Sequence, residues 1–132
     1  MIILKYNADN FLSLWVDLFN GLETQSIVDL YDTNAILIPT FSPSSTIYKA
    51  DIKYYFDELF AKDSVSVDVR EVKKNSFNAR EGLSIIYGTY SFSFKADLSL
   101  LNFPARFTFL LDLSLPGPII HHHSSLISET KN

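Results

Sequence analysis

The spacing of apolar residues changes once along this chain, from a helical period to a two-residue period near Ser64. Before Ser64, apolar residues recur every three or four positions, as one face of a helix requires. After it, apolar and polar residues alternate, which is typical of strands that lie on a core. Helices followed by strands predict an α+β fold. The 132 residues match the size of one typical domain, so we expect residues 1–132 to form a single domain.

Three helices and a short strand are predicted in the first half. The first helix is capped by Asn7 or Asp9, and Gly21 follows it, where a left-handed C-cap is expected. The remaining expected segments are a helix over about 23–31, a strand over 35–39, a loop over 40–46 and a helix over 49–62.

Four long strands are predicted in the second half, and they cover 64–77, 82–94, 103–115 and 119–127. On the third of them, Phe107 and Phe109 share one face, while Arg106 and Thr108 share the other. Both faces carry apolar residues, whereas a sheet face in contact with water should be polar. We therefore expect a second copy of the chain to cover the outer face, in a homodimer or a higher homo-oligomer.

Composition argues against several classes of partner and site. Eleven Lys and Arg residues against fifteen Asp and Glu give a net charge of −4, and the basic residues are scattered, so no nucleic-acid partner is expected. No apolar run approaches the ~18 residues of a membrane span, so no membrane partner is expected. The absence of cysteine excludes disulfides and thiol chemistry. A soluble cytoplasmic protein is expected, although the lack of cysteine fits the periplasm equally well.

Two segments resemble a known family. Ala105–Ser128 (ARFTFLLDLS…GPIIHHHSSLIS) and Leu30–Pro39 (LYDTNAILIP), with Trp15 before them, are similar to the nuclear-transport-factor-two-like superfamily. Within it, the chain resembles small SnoaL-like proteins and the association domain of calcium/calmodulin-dependent protein kinase II. The resemblance implies a cystatin-like, cone-shaped barrel, in which three N-terminal helices pack on a strongly bent, mostly antiparallel sheet and enclose a pocket. One departure is Pro118-Ile119, where relatives usually have a Trp after Gly-x.

Arg106 interrupts a strand that is otherwise largely apolar. A guanidinium stays charged, so its burial requires a partner, and its planar fork matches a carboxylate. An arginine at the matching position lines the cavity of the kinase association domain. The resemblance therefore implies that Arg106 anchors a ligand inside the cone, beside Thr108. The alternatives are an ion pair with Asp112 or another carboxylate of the chain, or an arginine that reaches solvent.

The run His121–His123 suggests either a metal site or a base. His121 and His123 share one strand face about 6.5–7 Å apart, but no third ligand is evident, so no metal is expected. The register of the kinase association domain implies that His122 and Ser124 face the pocket. That domain has a second arginine where this chain has Ser124, so a strongly anion-binding cavity is less expected here.

Three functions remain open. The first, which we favour, is a homodimeric small-molecule-binding domain without a cofactor. Trp15, Tyr31 and Tyr55 would line its apolar cone, which would bind a small carboxylate or an apolar ligand. The second is a SnoaL-like isomerase or cyclase that acts on a ketone-type substrate with His122 as its base. Ile38 stands where ketosteroid-isomerase-like relatives have an aspartate before proline, so that base is absent. The third is an oligomerisation module.

Overall fold

The computed structural model describes residues 6–76 and 82–128 and confirms the α+β class. The helices are α1 (Ala8–Asn20), α2 (Thr24–Val28) and α3 (Lys49–Phe60). The strands are β1 (Tyr31–Ile38), β2 (Ile47–Tyr48), β3 (Asp63–Ser76), β4 (Leu83–Ala96), β5 (Ser99–Asp112) and β6 (Ile119–Leu126). Position 77, the predicted end of the first long strand, lies outside the described residues.

The strands of the described segments form one sheet in the order β2-β1-β6-β5-β4-β3. β1 and β6 run parallel, and the other neighbouring pairs are antiparallel. The sheet stays open, with β2 at one edge and β3 at the other. The helices cover its inner face, and no helix in the described segments combines the length and apolar character that crossing a bilayer requires.

The start of α1 agrees with the sequence prediction, but its end does not. Asn7 Oδ1 accepts a hydrogen bond from the backbone N–H of Asp9 at 2.7 Å, as an N-cap should. Gly21 was expected to be left-handed, yet its φ is −82°, and Leu22 takes the left-handed conformation at φ 56°. The backbone N–H of Glu23 bonds to the carbonyl of Leu18, which closes a Schellman motif one residue later than predicted.

The second helix is shorter than predicted, and β1 is longer. α2 ends at Val28, and Tyr31, which was assigned to that helix, begins β1. Tyr31 pairs in parallel with Ile119 of β6, and the Ile119 backbone N–H donates to the carbonyl of Leu30 at 2.9 Å. Pairing with a strand almost ninety positions away overrides the local helical pattern.

β3 contains a bulge that resets its alternation. The pairing with β4 shifts by one residue between Val69 and Glu71, which leaves Arg70 as the extra residue. Val72 therefore returns to the same face as Val69, although their spacing alone would place them on opposite faces. A Cβ on Gly88 would lie 1.9 Å from the carbonyl oxygen of Glu71, so only glycine fits opposite the bulge.

Candidate functional site

A buried histidine lies at the centre of the inner sheet face. His122 of β6 is only 3% exposed, and the Phe109 ring stacks on it with the centroids 3.9 Å apart. Tyr31 Oη lies 2.9 Å from His122 Nδ1, and Tyr90 Oη lies 3.2 Å from Nε2. Both ring nitrogens therefore have hydrogen-bond partners inside the fold.

The direction of these hydrogen bonds follows from the donor at one end. Trp15 Nε1 can only donate, and it donates to Tyr31 Oη at 3.3 Å, so the Tyr31 hydroxyl hydrogen is left for His122 Nδ1. Neutral His122 then carries its hydrogen on Nε2 and donates to Tyr90, which donates to Ser124 Oγ at 2.6 Å. The resulting polar chain consists of Trp15, Tyr31, His122, Tyr90, Ser124 and Thr40.

Burial keeps the titratable members of the polar chain uncharged. It lowers the pKa of His122 well below its usual value, and the neighbouring His121 and His123 lower it further. It also raises the pKa of Tyr31 and Tyr90 well above the usual value for tyrosine. Every buried polar side-chain atom within residues 6–76 and 82–128 has a hydrogen-bond partner. The polar chain is thus neutral and fully bonded at neutral pH.

The space beside the polar chain is almost filled. The interior cavity has a volume of about 10 Å³, which is close to the minimum for one water molecule. Pockets for drug-sized ligands begin at roughly 300 Å³. The expected apolar pocket inside the cone is therefore closed in this structure.

Tyr55 forms part of the wall between this interior and the surface. Its hydroxyl accepts a hydrogen bond from the Phe41 backbone N–H at 3.3 Å, and burial raises its pKa to about 12. On its outer side lies a surface hollow of about 450 Å³, to which Phe41, Tyr54 and Glu58 also contribute. Because Tyr55 borders both the interior cavity and this hollow, it separates the two spaces.

Arg106 and Thr108 lie on the opposite face from the one expected. Phe107 and Phe109 point to the helices and are buried, whereas Arg106 is exposed and Thr108 half-buried on the outer face. The predicted alternation is right, but its direction is wrong, because the two aromatic rings bury more apolar area in the core than Arg and Thr would. An arginine anchor inside the cone is therefore wrong. Both residues instead border a shallow outer hollow of about 300 Å³.

Asp112 does not meet Arg106 either. Its carboxylate accepts hydrogen bonds from the Ser114 backbone N–H at 3.2 Å and the Ser114 hydroxyl at 2.6 Å, at the other end of β5. Asp112 therefore stabilises the turn that follows the strand, as aspartates often do.

The histidine run divides between the two faces of the sheet. His121 and His123 are half-buried on the outer face, and burial, followed by the charge of His123, lowers the pKa of His121. No group of three or more His, Cys, Asp or Glu residues in the described part of the chain has the arrangement of a metal site.

Of the predicted site residues, Trp15, Tyr31, His122 and Ser124 meet in one hydrogen-bonded chain, and Tyr55 borders it. Thr40, whose Oγ1 lies 2.5 Å from Ser124 Oγ, was not among the predicted site residues. No signal in the sequence marks Thr40, because its partner is 84 positions away. Tyr90 alternates with Phe92 and Phe94 along β4, and this pattern in the sequence already made it a candidate for the wall of the pocket.

Comparison with solved structures gives several matches over most of the chain. A protein from Xanthomonas campestris, described as a calcium/calmodulin-dependent protein kinase II association domain, matches with a TM-score of 0.81 and 19% identity, over 98% of this chain and 99% of its own. A protein from Novosphingobium aromaticivorans, described as NTF2-like with a cystatin-like fold, matches with a TM-score of 0.70 and 9% identity, over 90% and 79%.

A third match is the β subunit of benzoate 1,2-dioxygenase from Burkholderia mallei. Its TM-score is 0.72 and its identity 14%, over 90% of this chain and 87% of its own. No family model matches the sequence, and no curated protein matches it significantly. Likeness at these identities is evidence about the fold alone.

Proposed function

Given that this chain has the cystatin-like fold of NTF2-like proteins, we propose that it is a self-associating domain that forms a homodimer through the outer face of its sheet. The observation that carries the proposal is the apolar surface on this face. Ile36 and Tyr87 are 36% and 38% exposed, and Ile38, Ile85 and Leu110 are half-buried beside them. A second copy would remove this surface from water, and exposed apolar patches often mark the sites at which proteins associate.

The outer face consists of two rows of side chains that cross the sheet. One row runs through Ile85, Leu110, His121 and Ile36, and the other through Tyr87, Thr108, His123 and Ile38. Neighbouring side chains in each row are directly opposite on adjacent strands, so they can contact one another. His121 interrupts the apolar residues of the first row, and Thr108 and His123 those of the second.

Charges beside the rows suit a two-fold contact. Glu71, Lys73 and Arg106 border the same outer hollow, so the face carries both signs. A face with both signs can be complementary to a copy of itself, as a two-fold interface requires. Two of the similar structures are described as an association domain and as a subunit, which agrees with a role in assembly.

Sedimentation velocity tests the proposal, because a homodimer has twice the 15.0 kDa mass of the chain. We expect the wild type to sediment as a dimer at micromolar concentration and Tyr87→Asp to sediment as a monomer with an unchanged circular dichroism spectrum. Tyr54→Asp is the matched control, since Tyr54 is exposed on α3, away from the outer face. A wild type that sediments only at 15.0 kDa contradicts the proposal.

A second candidate is catalysis on a small ketone inside the cone, as an isomerase or cyclase. The observation that favours it is that His122 is neutral and lies between two tyrosine hydroxyls. A neutral imidazole can accept a proton, and a tyrosine can donate to a carbonyl oxygen. Trp15 and Ser124 would contact the bound molecule, and it could enter from the surface hollow if Tyr55 and Phe41 moved apart.

Turnover of polyketide-like or steroid-like ketones tests the second candidate. A general base contributes ~10²–10⁴-fold, so His122→Ala should lose that factor. Tyr48→Ala is the control, because Tyr48 is exposed and borders neither the interior cavity nor the surface hollow. Absence of turnover by the wild type would count against catalysis.

A further inference from the structure

Two histidines, His121 and His123, lie within the apolar rows of the outer sheet face. The residues directly opposite them on β5 and β1 are Leu110 and Ile36 for His121, and Thr108 and Ile38 for His123. Both imidazoles are half-buried in the single chain. Histidine is the side chain whose charge ordinarily changes between about pH 5 and pH 8. The outer face therefore contains two groups that can change its charge near neutral pH.

The carboxylates on the two strands beside β6 already have hydrogen-bond donors of their own. On β5, Asp112 accepts hydrogen bonds from the backbone N–H and the hydroxyl of Ser114. On β1, Asp32 accepts a hydrogen bond from the backbone N–H of Asn34 at 3.0 Å. No carboxylate stands directly opposite either outer histidine in the pairing of the described strands. A protonated imidazole there would have no opposite charge facing it on a neighbouring strand.

The charged groups on the outer hollow also disfavour a positive imidazole. His123 borders this hollow together with Glu71, Lys73 and Arg106. The Lys73 ammonium lies 3.8 Å from the Glu71 carboxylate, so these two charges compensate each other. Arg106 forms no ion pair with a residue in the described segments, so its positive charge remains on the hollow. Protonation of His123 would add a second positive charge to it.

We propose, on the basis of the homodimer proposed above, that protonation of His121 and His123 dissociates the sheet contact, so that the dimer forms at neutral pH and is lost in mild acid. A second copy would remove both imidazoles from water, and a charge is costly to bury without a partner. A two-fold contact also brings the same positive charges to the interface from both copies, and like charges repel. Both effects weaken the protonated dimer.

The sign of the pH dependence follows from the same cost. In the single chain, burial, followed by the charge of His123, already lowers the pKa of His121. Further burial in the dimer should lower this pKa again, so the separated chains bind protons at a pH at which the dimer does not. The contact should therefore be at full strength above about pH 6.5, the ordinary pKa of histidine, and should weaken as the pH falls below it.

Sedimentation velocity over a concentration series measures the dissociation constant of the dimer. The two conditions are about one pH unit above and about one pH unit below the ordinary histidine pKa. Each copy carries two outer histidines, so four imidazoles enter the contact, and each can weaken it by up to about tenfold over this range. We expect the wild-type dissociation constant to rise by about 100-fold or more in acid.

The variants His121→Gln and His123→Gln each remove two of the four imidazoles and keep a neutral polar side chain. The readout is the ratio of a variant's own dissociation constants at the two pH values, so a change in its affinity at neutral pH does not affect the comparison. Each single variant should show about the square root of the wild-type ratio, and the double variant should show almost no dependence on pH.

Proton uptake gives a readout that needs no variant. Calorimetric dilution of the wild-type dimer, in buffers that differ in ionisation enthalpy, counts the protons taken up on dissociation. Near the histidine pKa we expect more than one proton for each dimer that dissociates.

The buried His122 is the internal control for effects of acid on the fold, since all of these variants retain it. Protonation of His122 would disturb the aromatic core around it, which near-ultraviolet circular dichroism reports. We expect this spectrum to be the same at both pH values for the wild type and the variants, while only the dissociation constant changes.

The results that would overturn the pH switch differ from those that would contradict the homodimer. A wild-type dimer of equal affinity at both pH values overturns the switch and leaves the homodimer in place. Single variants that both keep the wild-type ratio also overturn it, because other groups would then cause the dependence. A wild type that is monomeric at both pH values contradicts the homodimer itself, and the switch with it.

Discussion

At the scale of single residues, the centre of the core is unusual because it is polar. Two tyrosines, a histidine and a serine share the interior with Trp15 and Phe109, and each polar atom depends on its neighbour in the hydrogen-bonded chain. A buried polar group without a partner costs about 1–3 kcal/mol. Removal of one member should therefore destabilise the fold through the partners that it leaves behind.

Tyr31→Phe tests this dependence with almost no change in volume. It removes the acceptor of Trp15 Nε1 and the donor to His122 Nδ1, so the free energy of unfolding should fall by about 1–3 kcal/mol. Tyr54→Phe, at an exposed position on α3, should change it by less than about 0.5 kcal/mol. Urea denaturation measures both, and equal stability of the two variants would contradict the argument.

The lowered pKa of His122 predicts a pH dependence of stability. The folded protein resists protonation of this imidazole, whereas the unfolded chain binds a proton near pH 6.5. Stability should thus be fully present above about pH 6.5 and should fall as the pH drops towards the folded pKa, by up to about 1.4 kcal/mol per pH unit. His122→Gln should reduce this slope below pH 6.5 in urea titrations. If the variant kept the wild-type slope, groups other than His122 would cause the pH dependence of stability.

At the scale of secondary-structure elements, two glycines illustrate different constraints. Gly88 faces the β3 bulge, where an added Cβ would lie 1.9 Å from a backbone oxygen, while a Cβ on Gly21 would lie 3.2 Å from its nearest atom. Gly88→Ala should therefore destabilise the protein by about 1–3 kcal/mol, as overpacking does. Gly21→Ala, in a right-handed conformation, should change stability little. Thermal unfolding of both variants checks the contrast.

The length and type of the long elements could be predicted from the sequence, because each carries many apolar residues in one period. The predictions fail where a residue distant in sequence determines the local structure. Tyr31 joins a strand because it pairs with β6, and the bulge at Arg70, which was not predicted, depends on Gly88 of the neighbouring strand. For β5 the alternation was evident, but only packing against α1 determines that Phe109 rather than Arg106 faces inward.

At the scale of the whole molecule, the main question is whether the interior can open. The resemblance assigned Trp15, Tyr31, His122 and Ser124 to one pocket, and their side chains meet in the polar chain. The sequence could not predict the interior volume, because it depends on side chains from several elements. The wall beside the surface hollow is formed by Tyr55 and Phe41, and the Phe41 ring also packs edge-on against Phe92. A ligand that reached His122 from the surface hollow would have to displace this wall.

Phe41→Ala should weaken that wall and connect the interior with the surface hollow. We expect the variant to bind a small apolar probe such as benzene, seen as a rise in melting temperature with probe concentration, while the wild type shows no such rise. Tyr54→Ala, which alters the hollow but not the wall, is the control. Equal binding by the wild type would mean that the interior opens readily by itself.

The position of β6 in the sheet has a consequence for how the protein is made. β6 follows the other strands in sequence but lies between β1 and β5 in space. During synthesis, β1 and β5 therefore each present an unpaired edge until β6 has left the ribosome. The nascent chain is most prone to aggregation in that interval. Release of His122 from the exit tunnel is thus the event that allows both halves of the sheet to join.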